Sequence, residues 1–227
     1  MAEPTRPADP TLPRARGDIA RRAAGAAAAG CILAGAVAVT FAVVAGPGPG
    51  FTGYVSEAGI AGSAHAATYR IGVLALAGAL LLIGAALPPG VWAAAPALLA
   101  AGAVFTAVSG AVTCSDGCPL PPFERATTAD LVHGGASIAA TATVVFAMVT
   151  LAVSGPAGRM VRRLAGGAAA LALPLGATVG LAMLVIGRGP VVGVLERLIL
   201  ALAVLWGLST ATALALCKEP HADESLQ

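Results

Sequence analysis

Charge and aromatic side chains are both scarce in this chain, and each scarcity narrows what the chain can be. Asp, Glu, Lys and Arg supply 11% of its 227 residues and Phe, Tyr and Trp 4%, whereas soluble domains carry roughly 25% charge. So little charge cannot cover the surface of a water-soluble fold. The formal net charge is +2, and the basic residues are scattered over the ends of apolar blocks without forming a stripe or patch, which argues against a nucleic-acid surface. There is no repeat of fixed period and no glycine-rich nucleotide loop after a strand. The 4 cysteines show no recognised zinc-finger or ribbon spacing, and no two histidines fall at matching depth on helix interiors, as haem ligation by His65 and His133 would need. Neither a cofactor nor a resident metal is expected.

Apolar residues are abundant, at 58% of the chain, and they gather into blocks that are long enough to cross a bilayer. The blocks are residues 23–45, 71–87, 91–112, 131–153, 164–186 and 198–217, and about 20 apolar residues span a hydrocarbon core. The fold class that follows is all-α: a polytopic integral membrane bundle of six transmembrane helices. Residues 1–22 mix Pro, charge and small polar residues and lack the apolar area to offset ordering entropy, so they read as a disordered basic cytoplasmic tail, and 218–227 reads as a short cytoplasmic tail. The first block exceeds a signal-peptide core in length and reads as a retained helix. The second block has an alternative start near Ala66, which would put Arg70 in its first turn. Pro96 and Pro174 are expected to bend their helices. Gly176 and Gly180 form a small-residue face on the fifth.

Orientation follows from Lys and Arg. Arg6, Arg14, Arg16, Arg21, Arg22, Arg159, Arg162, Arg163 and Lys218 fall on one side, and Arg70, Arg125, Arg188 and Arg197 on the other. The richer side is expected to be cytoplasmic, which puts both termini inside and the protein in the plasma membrane. Membrane lipids are then its partners, with a partner membrane protein as a further possibility.

On this reading the outer loops, 46–70, 113–130 and 187–197, hold nearly every reactive side chain outside the tails. Cys114 and Cys118 lie four apart with Gly117 and Pro119 to turn the chain, and a disulfide is the preferred reading over a redox-active pair or a zinc site shared with Asp116 and His133. His133 falls one turn inside the fourth helix with Asp130 and Ser137 on its face. An ionisable group at that depth is either functional or a buried tie between helices, with Asp130 as the cap that orients it. Glu196 and Arg197 open the last helix. Ser56, Glu57 and Arg70 lie in or next to the first loop. Arg197 is expected to pair with Glu57 or Asp116, Arg188 to be solvated, and His133 to point into the bundle.

The run YVSEAGIAGSAHAATYRIGVLAL, the run CSDGCP followed by a helix-start histidine, and the final VLERLILALAVLWGL resemble the bacterial six-helix membrane family catalogued as domain of unknown function 998. The resemblance covers roughly residues 25–217. It implies the fold and the relevance of Ser56, Glu57, Asp116, His133 and Arg197, but no reaction. Two functions stay open at this point. One is an accessory membrane protein whose outer cluster binds a lipid headgroup, a small ligand or a partner. The other is an enzyme acting on a lipophilic substrate at the outer face, with His133 as acid or base and Glu57 or Asp116 assisting.

Overall fold

The computed structural model describes residues 11–46, 53–119 and 121–216. Six α-helices run through it: α1 (Thr11–Ala45), α2 (Ala66–Ala86), α3 (Ala94–Ala111), α4 (Thr128–Val153), α5 (Arg159–Val185) and α6 (Pro190–Leu216). Single 3-10 turns lie at Val55–Gly59 and Gly155–Ala157. Each of the six helices carries a stretch long and apolar enough to cross a membrane. Many large side chains on their outer faces, among them Val37, Leu81, Leu171 and Leu184, are exposed, as lipid-facing positions are.

Successive helices pack as neighbours and α1 closes the ring against α6. Small residues allow the closest approach. A Cβ on Gly35 of α1 would stand 2.7 Å from the carbonyl oxygen of Gly72 in α2, and one on Gly72 would stand 2.9 Å from that of Gly35, so the backbones touch where both residues lack side chains. The α5 pair behaves differently. Gly180 has nothing within 4 Å of its Cβ position and Gly176 meets only Ile199 Cδ1 at 3.4 Å, so that small-residue face does not make the close helix contact in this chain.

Several boundaries differ from the sequence expectation, each for a local reason. α1 begins at Thr11, so residues 11–22, read above as tail, are helical; Ala and Arg are strong helix formers, and Asp18 and Arg21 form an i, i+3 ion pair there. Residues 1–10, 217 (Cys217) and 218–227 lie outside the described residues. α2 starts at Ala66, with Arg70 in its second turn. α3 starts at Ala94, which places Pro96 in its first turn, where a missing N–H costs little, while Pro174 lies inside α5. α6 starts at Pro190, a proline at the first helical position, so Glu196 and Arg197 lie within the helix and do not open it.

Candidate functional site

The α1–α2, α3–α4 and α5–α6 connections meet at one end of the bundle, and two polar assemblies form there. The first ties α3 to α4. Thr127 caps α4, its side chain accepting from the Asp130 N–H, and Asp130 reaches back to the Thr127 N–H at 2.7 Å. This is a capping box with Asp at the third position, so Thr127 is the cap and Asp130 its partner, not the cap itself. The Asp130 carboxylate also accepts from the Ser115 N–H at 2.7 Å and hydroxyl at 3.0 Å, and from the Thr127 hydroxyl at 2.7 Å. A buried carboxylate thus gathers the α3–α4 loop onto the start of α4.

His133 lies one turn further in, buried at 6% exposure. Its Nδ1 is 2.9 Å from the Ser109 carbonyl oxygen and 2.8 Å from that of Val112. Two acceptors on one nitrogen require that Nδ1 carry the proton. Ser137 continues the seam, donating to the His133 carbonyl at 2.9 Å and sharing a 2.8 Å hydroxyl contact with Ser109. Cys114 and Cys118 are joined as a disulfide whose buried sulfurs pack beside this corner, and the Ser56 hydroxyl donates to Cys118 Sγ at 3.4 Å.

The second assembly surrounds a cavity of about 500 Å³ beneath the α1–α2 connection. Tyr54, Glu57, Ser63, Asp116, Gly117 and Arg197 give its polar wall, and Ala42, Val43, Ala58, Ile60 and Ala61 its apolar one. The 3-10 turn shapes the roof: the Tyr54 N–H donates to Glu57 Oε1 at 3.1 Å and the Val55 N–H to Glu196 Oε2 at 3.0 Å, which anchors the turn on α6. Arg197 reinforces that anchor by donating to the carbonyls of Gly53 and Gly193. Arg188, expected in solvent, is exposed but donates to the Gly117 carbonyl at 2.8 Å and so steadies the disulfide loop. Gly117 itself has φ +79°, a left-handed conformation that side chains other than glycine adopt at a cost.

Glu57, Asp116 and Arg197 therefore converge on one cavity, with Glu196 fixing its roof. His133 and Asp130 belong to the α3–α4 corner, Ser56 stands on the disulfide between the two, and Arg70 is absent from the cavity lining although its Nε is buried without a hydrogen-bond partner among the described residues. His65 packs its ring edge-on against Phe41, centroids 5.1 Å apart. His133 is not among the residues that line the cavity.

Tyr54 is the cavity residue that sequence reasoning underrated. It is buried at 6% exposure and its hydroxyl has no hydrogen-bond partner among the described residues. Burial, helped by the nearby Glu196 carboxylate, pushes its phenol up to about 12. Its sequence signal was faint, three residues before Glu57 in a loop. No curated protein matches the chain, and no solved structure does. The family described as "Protein of unknown function (DUF998)" matches residues 27–213, from within α1 to within α6, and this multi-pass membrane protein belongs to that family.

Proposed function

We propose that the protein is a binding protein of the plasma membrane that holds an amine-bearing polar group in the cavity under the α1–α2 connection, on the extracytoplasmic side, without transforming it. The observation that carries this reading is a cavity whose wall brings the two carboxylates of Glu57 and Asp116 together beside Tyr54. Glu57 and Asp116 outnumber Arg197, whose guanidinium already serves two backbone carbonyls, so the wall favours a cationic group. The apolar side formed by Ala42, Val43 and Ile60 suits the glycerol and first methylenes of a lipid. An ethanolamine-type lipid headgroup and a free small amine share this chemistry. The division of Lys and Arg between the two ends of the bundle supports termini in the cytoplasm and the cavity outside.

The binding test uses purified protein in detergent, with ethanolamine, phosphoethanolamine and short-chain phosphatidylethanolamine added separately and thermal midpoints read. A rise with the amine compounds that is lost in Glu57→Gln and reduced in Tyr54→Phe supports the reading, and a rise confined to the phospholipid identifies the headgroup. Equal midpoints with and without all three sink it. Reporter fusions after Pro156 and at the C-terminus active only in the cytoplasm support the orientation, and the opposite pattern overturns it.

A further inference from the structure

We infer that Cys114, Cys118 and His133 form a thiol-gated binding site for a soft divalent cation of the zinc type, closed as a disulfide and opened by reduction. The two sulfurs and a ring nitrogen of His133 all lie within 4.8 Å of one another, and all three residues are buried, at 4%, 7% and 6% exposure. Donor atoms of a tetrahedral zinc site, with Zn–S of about 2.3 Å and Zn–N of about 2.0 Å, stand about 3.5 to 3.8 Å apart, so the three donors lie at the scale of such a site once the disulfide is opened. The cysteines lie in the α3–α4 loop and the third donor on α4, so the site draws on both sides of that corner.

A second observation points to a ligand. The Ser109 and Val112 carbonyls hold His133 Nδ1 as the proton-bearing nitrogen, which leaves the lone pair on Nε2. A histidine that ligates a metal almost always donates its other ring N–H in this way, which fixes both tautomer and ring plane. The Ser56 hydroxyl already contacts Cys118 Sγ at 3.4 Å and would become a partner to the thiolate. Two thiolates and one divalent cation sum to zero charge, so the filled site suits the buried corner, whereas two bare thiolates would not.

The gating step balances. A dithiol reductant gives two electrons and two protons to the Cys114–Cys118 bond, yielding two thiols, and leaves as its own cyclic disulfide. Zinc then takes the two sulfurs and His133 and releases the two protons, with water in the fourth position. Asp116 and Gly117 lie within the Cys114–Cys118 loop and also line the cavity, so the redox state of this corner bears on the shape of that wall. Ion binding itself is independent of any ligand in the cavity.

The test uses the full chain in detergent, reduced with a phosphine that is then removed under argon, and titrated with cobalt(II) and then zinc. One cobalt per chain, with an intense near-ultraviolet sulfur-to-metal band that zinc abolishes and that oxidised protein lacks, is the expected result. His133→Ala should weaken zinc binding by more than about tenfold. Mass-spectrometric mapping on the wild-type chain should show zinc slowing alkylation of Cys114 and Cys118 and leaving Cys31 unchanged. Reduced, folded protein without the cobalt band overturns the proposal. So does alkylation of the two thiols at the same rate with and without zinc, a readout that does not depend on any variant folding.

Discussion

The α3–α4 corner and the cavity under the α1–α2 connection lie at the same end of the bundle, yet they treat buried polar groups in opposite ways. At the corner, Asp130 accepts from both Ser115 and Thr127, and His133 Nδ1 serves two carbonyls. At the cavity, the Tyr54 hydroxyl is buried with no such bond. Full satisfaction rigidifies, and a polar atom left without a bond leaves its segment less firmly fixed. The contrast separates the two regions more sharply than charge or burial does, because both contain both.

The comparison breaks first at Asp130. Asp130→Ala leaves the Ser115 and Thr127 donors without their acceptor and removes half of the capping box, so a loss of about 3 kcal/mol is expected. It should appear as a marked fall in thermal midpoint and in folded yield, and a midpoint close to wild type would show that the corner is not scaffold. Arg197→Ala comes next, at about 2 kcal/mol, since two backbone carbonyls lose a charged donor. Here the α1–α2 connection should also become more accessible to protease. Arg188→Ala removes one exposed contact to Gly117 and should cost about 0 to 1 kcal/mol; a larger loss would mean that the disulfide loop depends on it.

Tyr54→Phe sharpens the comparison from the other side. Deleting an unpartnered hydroxyl should leave stability near neutral pH unchanged or slightly raised. The phenol is pushed up to about 12 in the fold, whereas an unfolded chain loses that proton near 10. The contribution is therefore fully present below pH of about 10 and is lost as pH rises towards about 12. Thermal midpoints at about pH 8 and about pH 11 should fall further apart in wild type than in Tyr54→Phe. Equal differences would show that Tyr54 is solvated in the folded protein.

Much of this was legible in the sequence because a bilayer asks a one-dimensional question. A run of about 20 apolar residues answers it locally, and the six blocks correspond to the six helices. The helix ends were less legible, since Ala, Arg and the first-turn Pro190 extend α1 and α6 beyond their apolar stretches without changing hydropathy. The disulfide pairing was also readable, four residues being close enough for only modest ambiguity. Site geometry was not. Arg197 donates to the carbonyls of Gly53 and Gly193, partners that no composition rule singles out.

The sequence by itself determined that the chain crosses a membrane six times and gathers its polar chemistry at one end, because both follow from the local transfer free energy of each segment. Tertiary structure alone decided that Glu57, Asp116 and Arg197 share a cavity with Tyr54, and that His133 faces the Cys114–Cys118 pair instead. Those neighbours come from different helices and loops, and their meeting depends on how the helices are rotated and how closely glycines such as Gly35 and Gly72 let them approach. Rotation and approach are set by packing between segments, which the sequence of any one segment does not contain.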